Sequence, residues 1–189
     1  MTSTDASAAP DPVLSGPRAE GRGGHLAFLA VVAAWLGVLA MLLARPLFVS
    51  HDSVSNYAHV WFVAQSLWHG HGLPFHMPLA HGQALTFPYG FFPWMFAAVL
   101  WPVFGEWAVT LSLVVGFVGL AIAMFWAFPE LGRGWWAASA LVNPCLVVAV
   151  INDQLPFVWA MAFGFVAIAF WRRRRPGLAA LLAGMAQAT

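Results

Sequence analysis

Four long runs without a charged residue constrain this chain more than any other feature. They cover residues 26–44, 107–128, 135–151 and 154–171. Each is close to the length of about 20 residues that an α-helix, rising about 1.5 Å per residue, needs to cross a hydrocarbon core of about 30 Å. Backbone groups in lipid must bond to one another, and these runs lack the alternation of barrel strands. The sequence therefore predicts an all-α, polytopic helical membrane protein.

The composition supports this prediction and excludes other classes. The chain is 61% hydrophobic and 8% charged, whereas about 25% of the residues in a typical soluble domain are charged. Its arginines are spread over the ends of the apolar runs, and no aromatic and basic surface for nucleic acid is evident. The sequence also lacks a phosphate-binding glycine loop and a Ser-His-Asp pattern. The single cysteine, Cys145, cannot form an intrachain disulfide, and we expect it to be buried.

The two ends of the chain differ from its apolar centre. Residues 1–24 combine Ala, Ser, Pro and Gly with scattered charges, a composition typical of a disordered tail. The first run is longer than the apolar part of a signal peptide, about 7 to 15 residues, so we expect a retained anchor. The apolar segment after Pro176 stops at Thr189, which predicts a truncated fifth helix and a chain that is incomplete at its C-terminus. The helical transmembrane domain would then cover residues 25–189.

The apolar segment 86–104 has the hydropathy of a further span, and the arginine distribution decides against it. If the segment crosses, two arginines lie in the cytoplasm and six outside; if it lies at the surface or dips in and returns, seven lie inside and only Arg45 outside. Cytoplasmic loops are enriched in arginine, so the second arrangement is favoured. Three prolines, Pro88, Pro93 and Pro102, also disfavour a straight helix. We therefore predict four full spans and a cytoplasmic N-terminus, in the plasma membrane.

This arrangement predicts that two carboxylates share the outer face. Asp52 follows the first span, at the start of an external loop of about 49–106, and Asp153 lies in the turn between the third and fourth spans. Charge at the bilayer centre costs about 3 kcal/mol, so acids at the ends of two spans favour a functional site. Two structural alternatives stay open, since Asp52 is also a natural helix N-cap and Asp153 is a common turn residue.

The external loop begins with a predicted amphipathic helix over residues 52–69, lying at the outer interface. Its polar positions recur at spacings of three, four and seven, and its apolar positions form the opposite stripe. The polar stripe comprises Asp52, Ser55, Asn56, His59 and Ser66, and the apolar stripe comprises Tyr57, Val60, Trp61, Ala64, Leu67 and Trp68.

The same loop contains six of the seven histidines. The segment "HGHG" at 69–72 has ligands suited to zinc or copper. Flexible glycines and the lack of Cys or HExxH partners instead favour histidines that form hydrogen bonds. Glu106, before the second span, is either a third external acid or a simple helix-start carboxylate. Gly116 and Gly119 within that span indicate close helix packing.

The order of these features resembles the GT-C-type membrane glycosyltransferases, over residues 45–171. The stretch "SHDSVSNYAHVWFVAQSLWHGHGLPF" is similar to the acidic block and juxtamembrane helix that follow the first span in that family. "FPYGFFPWMFAAVLWPVFGEW" is similar to its proline-rich stretch, and "NPCLVVAVINDQLPF" to its second acidic turn. Members of the family take a sugar from a polyprenyl-phosphate carrier on the outer side of the membrane.

The resemblance implies a function for each acid. Asp52 would be the catalytic base and Asp153 the second catalytic acid, with both as ligands of a divalent cation, Mg²⁺ or Mn²⁺. The implied partners are membrane lipid and a lipid-linked sugar donor, in the cell envelope. The implied substrate-binding residues are His51, Tyr57, His76, His81, Tyr89 and Glu106. A polytopic transporter or channel subunit and a non-catalytic membrane scaffold are the alternative functions.

Overall fold

The structure is a computed structural model that describes residues 21–45, 50, 52–74 and 90–189, together with the backbone of 76–79 and 83–86. Within these residues the chain forms helices and one antiparallel hairpin. The helices are α1 (Arg22–Leu43), α2 (Ser53–Trp68), α3 (Phe91–Phe104), α4 (Trp107–Ala127), α5 (Arg133–Leu141), α6 (Pro144–Ile151), α7 (Leu155–Arg172) and α8 (Pro176–Gln187). The hairpin pairs β1 (His76–Leu79) with β2 (Gln83–Thr86). Residues 1–20 of the predicted disordered tail are not among the described residues. The helix α1 begins at Arg22, before the predicted end of the tail at residue 24.

The helical architecture agrees with an integral membrane protein. Three helices, α1, α4 and α7, are long and apolar enough to cross a membrane, and the bent pair of α5 and α6 adds a fourth if it is counted as one span. The predicted fifth helix is α8, which has 12 residues. The helical part of the fold prediction is therefore confirmed, and the number of full spans stays between three and four.

The third predicted span, 135–151, is not a continuous helix. It is divided between α5 and α6, whose axes are bent by 54°. Pro144 begins α6, and Asn143 before it has an extended backbone with ψ of 130°, as expected for a residue that precedes proline. The Asn143 side chain then caps α6 by accepting the N–H of Cys145 at 2.9 Å. Cys145 itself is exposed, so the expectation that it is buried was wrong.

The segment predicted not to cross the membrane forms α3. Its 14 residues span about 21 Å, short of a hydrocarbon core of about 30 Å. Gly90 before the helix has φ of 74° and Gly105 after it has φ of 55°, conformations that residues with a Cβ rarely adopt. The helix packs between α2 and α4 and also touches α7. It therefore has the length of a helix that lies within the protein or at the surface.

The second span, α4, is the central helix. It packs most extensively against α7 and also contacts α1, α3 and α5, with Leu113 and Phe117 fully buried. Gly116 permits the close approach of α7, because a Cβ atom there would lie 2.5 Å from Cδ1 of Trp159. The nearest atom to a Cβ at Gly119 is 4.0 Å away. The predicted packing role is thus confirmed at Gly116, while Gly119 has room for a methyl group.

Candidate functional site

The start of α2 lies against the turn that joins α6 to α7. The backbone N–H of Asp52 donates to the carbonyl oxygen of Asn152 at 3.2 Å. Asp52 occupies the N-cap position of α2, but its side chain makes no capping hydrogen bond, so capping does not account for this carboxylate. The negative charge of Asp52 acts on the carboxyl group of Asp153. The two acids singled out in the sequence are therefore neighbours.

The turn holds Asp153 in an unusual backbone conformation. Its N–H donates to the carbonyl of Val150 at 3.2 Å, and the N–H of Gln154 donates to the carbonyl of Ala149 at 2.8 Å. These two bonds define a Schellman motif, in which glycine is the usual residue at the position of Asp153. Asp153 has φ of 55°, in the left-handed region that costs most residues about 1–2 kcal/mol. An aspartate at this position therefore lowers backbone stability relative to glycine.

The carboxyl group of Asp153 is enclosed by protein. The residue is 2% exposed. Nδ2 of Asn56 donates to the backbone carbonyl of Asp153 at 2.5 Å and lies 3.4 Å from Oδ2, while Oδ1 has no hydrogen-bond partner among the described residues. Burial raises the pKa of Asp153 to about 7; the Asn56 bond opposes this rise, and the charge of Asp52 adds to it. A carboxyl group with this pKa can exchange a proton near neutral pH.

Asn56 connects the acidic turn to α3. Its Oδ1 accepts the indole N–H of Trp94 at 2.9 Å, and its Nδ2 donates to Asp153. With the amide reversed, its NH₂ group would face the indole N–H of Trp94 and its oxygen would face the carbonyl of Asp153. Neither pair can form a hydrogen bond, so the two partners determine the orientation of the amide. Asn56 is 3% exposed. Its buried amide therefore has a defined partner at each end and holds α2, α3 and the turn together.

His59 lies one helical turn beyond Asn56 and stacks on Trp94. The ring centroids are 3.9 Å apart and the planes are inclined by 16°. Nδ1 lies 2.7 Å from the carbonyl oxygen of Ser55, which can only accept, so the ring proton is on Nδ1 and the lone pair on Nε2. Burial lowers the pKa of His59, and the bond to Ser55 opposes this shift. Nε2 is buried without a hydrogen-bond partner in the described part of the chain.

A cavity of about 420 Å³ opens where these elements meet. Its volume is within the range of about 300–1,000 Å³ that is common for small-molecule sites. The lining residues are Asp52, Ser55, Asn56, His59, Trp94, Gln154, Pro156 and Phe157. Asp153 is not among them, because it lies behind Asn56. A ligand in the cavity would meet Asp52 directly and would be influenced by Asp153 through Asn56.

The lining defines the chemistry that the cavity can support. Asp52 offers a carboxylate, and the polar atoms of His59 and Gln154 offer hydrogen-bonding groups. Pro156 and Phe157 form an apolar wall, and Phe157 is 41% exposed. Among the described residues that line the cavity there is neither lysine nor arginine. Asp52 can accept a proton from a hydroxyl group bound in the cavity, and the described lining offers no cationic side chain to an anion.

The other predicted binding residues do not join this site within the described side chains. Tyr57 is buried between α2 and α4, with its hydroxyl 3.4 Å from Oγ1 of Thr110. Glu106 is exposed at the start of α4, where it makes no capping hydrogen bond. Neither residue lines the cavity. The side chains of the remaining four lie outside the described part of the structure: His51, His76, His81 and Tyr89.

The polar and apolar stripes predicted for α2 do not correspond to an exposed and a buried face. In the polar stripe, Asn56 and His59 are each 3% exposed, whereas Ser55 is exposed. In the apolar stripe, Val60 is buried and Trp61 is 52% exposed. The helix itself was predicted correctly, but the predicted division into a water-facing and an apolar face was not found. Neither Asn56 nor His59 was predicted as a site residue. Their spacing from Asp52, which places all three on one face of a helix, was the signal that could have identified them.

The described residues contain no group of three or more His, Cys, Asp or Glu side chains placed to hold a metal ion. In the "HGHG" segment, His69 and His71 are exposed, and Nδ1 of His69 donates to the carbonyl of Gln65 at 2.9 Å. A cation at the acid pair would need water or substrate oxygens to complete its coordination, as Mg²⁺ commonly does. The divalent cation therefore stays a prediction, and no reaction step below depends on it.

The cavity and the arginine cluster lie at opposite ends of α7. Asp153 comes just before this helix, and Arg172–Arg175 begin at its last residue. A helix of 18 residues is about 27 Å long, close to the thickness of a hydrocarbon core of about 30 Å. If α7 crosses a membrane, the acids and the arginines emerge on opposite sides.

No protein-family model matches the chain, and searches of curated proteins and of solved structures find no similar protein. A functional proposal therefore depends on the residues of the cavity and on the resemblance in the order of sequence features.

Proposed function

We propose that this chain is the N-terminal part of an integral membrane glycosyltransferase that moves a sugar from a polyprenyl-phosphate donor on the extracytoplasmic face. The observation that carries the proposal is the contact between the start of α2 and the turn before α7, which places Asp52 beside Asp153 at a cavity. In a chain with seven acidic residues among 189, a carboxyl group that lines a cavity and has a second, buried carboxyl group beside it is a specific arrangement. A carboxylate at a cavity is also a group that general base catalysis uses.

Asp52 is the residue of the pair that can touch a substrate, because it lines the cavity. Its carboxylate accepts the proton of an acceptor hydroxyl group. The hydroxyl oxygen then forms a bond to the anomeric carbon of the donor sugar as the bond from that carbon to the lipid phosphate breaks. The proton is left on Asp52, and the electron pair of the broken bond leaves with the polyprenyl phosphate.

Asp153 acts as a positioning residue through Asn56 and Asn152. Its carboxyl group has a pKa raised to about 7 by burial, so both of its forms are populated at neutral pH and it is largely protonated only below that pH. A protonated Asp153 places no second negative charge beside Asp52. The turn that contains Asp153 also anchors the backbone of Asp52 through Asn152.

The decisive experiment replaces Asp52 in the full-length protein and measures transfer from a lipid-linked sugar donor in membranes. Asp52→Asn keeps the size of the side chain and its place at the start of α2, so we expect normal insertion and at least a hundredfold loss of transfer, the scale of general base catalysis. Glu106→Gln is the matched control, because Glu106 also precedes a helix but does not line the cavity. Equal activity of Asp52→Asn and the wild type would refute the proposal.

A proton-coupled transporter is the second candidate. The observation that favours it is the buried carboxyl group of Asp153, whose pKa of about 7 suits reversible protonation. In proteoliposomes, this function predicts solute uptake driven by a pH gradient and lost in Asp153→Asn. A non-catalytic scaffold predicts instead that Asp52 and Asp153 can be replaced together without any effect on function.

A further inference from the structure

We propose that the cavity binds a neutral, hydroxyl-bearing ligand and that Nε2 of His59 accepts the hydrogen of one of its hydroxyl groups. The inference builds on the proposed function, within which this ligand is the acceptor and not the lipid-phosphate donor. Three observations carry it: the buried lone pair of His59, the charges of the lining and the apolar wall opposite the polar groups.

The first observation concerns the hydrogen bonds of His59. Nδ1 is used by the carbonyl oxygen of Ser55, and the ring is fixed in place by its stack on Trp94. His59 is 3% exposed, and Nε2 has no partner among the described residues although the residue lines the cavity. A buried acceptor without a partner costs about 1–3 kcal/mol. A ligand that donates a hydrogen bond would remove this cost on binding.

The second observation concerns charge. The described lining includes the carboxylate of Asp52 and contains no lysine or arginine. Phosphate binding in proteins uses arginine, lysine, helix N-termini or a metal ion. The starts of α2 and α7 lie at the cavity, but a phosphate group there would also face the carboxylate of Asp52 and the lone pair of His59, both of which repel it. The lining therefore favours a neutral donor of hydrogen bonds.

The third observation concerns shape. Polar atoms of Asp52, His59 and Gln154 lie in the same cavity as the apolar side chains of Pro156 and Phe157. A sugar ring has hydroxyl groups on its edge and C–H groups on its faces, so it matches such a combination. Phe157 is partly exposed and offers a flat surface for a C–H face. A sugar or another polyol is therefore the class of ligand that suits the lining.

The experiment uses two substitutions that place their amide groups differently. The amide of Gln extends to the position of Nε2 and can still accept a hydrogen bond there, whereas the shorter amide of Asn reaches only the position of Nδ1. In transfer assays with the full-length protein, we expect His59→Asn to raise the KM for the acceptor about tenfold, the effect of one hydrogen bond. We expect His59→Gln to stay within about threefold of the wild type, and neither variant to change the KM for the lipid-linked donor.

His69→Asn is the matched control. His69 is the C-cap of the same helix and makes the same bond from Nδ1 to the carbonyl four residues earlier, but it is exposed and outside the cavity. We expect no change in either KM. The inference would be overturned if only the KM for the donor rose. It would also be overturned if His59→Asn and His59→Gln raised the KM for the acceptor equally while both variants inserted normally.

A binding measurement separates this inference from the proposed function. Protein with ¹⁵N-labelled histidine is titrated with methyl glycosides of common hexoses and pentoses, and separately with inorganic phosphate. We expect a glycoside to shift the Nε2 resonance that disappears in His59→Asn, and phosphate to leave it unchanged. A shift with phosphate alone, or with neither probe, would refute the inference, whatever Asp52→Asn does to transfer. Glycoside binding with normal transfer in Asp52→Asn would refute only the proposed function.

Discussion

The side chain of Asn56 binds Asp153 across 97 positions of sequence. Nδ2 of Asn56 donates to the backbone carbonyl of Asp153 and approaches its carboxylate, while the other end of the amide accepts the indole N–H of Trp94. One buried amide thus orders the turn that carries the second acid and ties it to α2 and α3.

Removal of this amide should destabilise the protein. Asn56→Ala removes the acceptor that binds the indole N–H of Trp94 and one of the two donors to the carbonyl of Asp153, which keeps its bond from the N–H of Leu155. Each lost buried hydrogen bond costs about 1–2 kcal/mol. We expect the free energy of unfolding to fall by about 3 kcal/mol. Unfolding in detergent, followed by circular dichroism, measures this change. Ser66→Ala is the control, since it removes an exposed hydrogen bond to Gly72 on the same helix and should cost about 0.5 kcal/mol or less.

Stability should depend on pH through Asp153. Its pKa in the folded protein is raised to about 7, so the folded protein keeps a proton that the unfolded chain releases above about pH 4. The resulting stabilisation is complete below about pH 4 and is lost as the pH rises to about 7. At about 1.4 kcal/mol per pKa unit, the loss is of order 4 kcal/mol.

Asp153→Asn should abolish this pH dependence. Asparagine cannot ionise and, like aspartate, tolerates the left-handed backbone of this position. We expect the variant to be more stable than the wild type at pH 8 and to lose the decline in stability between pH 4 and pH 7 that Asp153 causes. The lowered pKa of His59 leaves a rise in stability with pH over part of this range. Unfolding curves at several pH values test this expectation. Parallel profiles for the two proteins would show that Asp153 does not titrate in this range.

Close packing between α4 and α7 should make Gly116 intolerant of a side chain. A Cβ atom at this position would lie 2.5 Å from Trp159, so Gly116→Ala must displace the indole ring. We expect a loss of about 1–3 kcal/mol in the free energy of unfolding. Gly119→Ala on the same helix has its nearest neighbour at 4.0 Å and should be neutral or slightly stabilising. A reversed order of the two variants would contradict the described packing of α4 on α7.

Orientation can be tested with single cysteines in a Cys145→Ser background. His71 follows α2 and Arg174 follows α7, and both residues are exposed. We expect a membrane-impermeant thiol reagent added outside to label His71→Cys at once and Arg174→Cys only after the membrane is permeabilised. Labelling of Arg174→Cys from outside would put the cavity in the cytoplasm and would eliminate the extracytoplasmic transferase.

The proposed cation can be tested by chelation. If Asp52 holds Mg²⁺ or Mn²⁺ together with substrate oxygens, EDTA should abolish sugar transfer and either ion should restore it. Chelated Asp52→Asn protein should not recover with either ion. Full activity in EDTA would eliminate the cation and leave Asp52 as a base alone.

The helical architecture was predictable because it depends on local properties of the chain. A run such as 107–128 is apolar for about the length of a membrane span, and any such run must form a helix in lipid. For the segment before it, the prolines disfavour a straight helix, yet α3 contains Pro102; that this segment does not cross the membrane stays a prediction. The break in 135–151 was not predicted, although Asn143 and Pro144 carry the signal for a capped restart of the helix.

The candidate site was only partly predictable. Asp52 and Asp153 stood out because charge is rare at the ends of membrane spans. Asn56 and His59 did not, because a polar stripe on a helix normally faces water. Here two residues of the stripe are buried, and burial of Asn56 costs less because its amide bonds to Trp94 and to the acidic turn. Tyr57, predicted to bind substrate, belongs to the contact of α2 with α4.

The sequence alone determined the solvent and the local structure: an apolar composition requires a membrane, and a membrane requires helices. Only the tertiary structure decided that the start of α2 meets the turn before α7, that Asn56 lines the cavity and bonds to Asp153, and that the lone pair of His59 has no partner among the described residues. The physical reason is that helix formation depends on neighbours in sequence. The site depends on contacts between distant segments, which packing around α4 brings together.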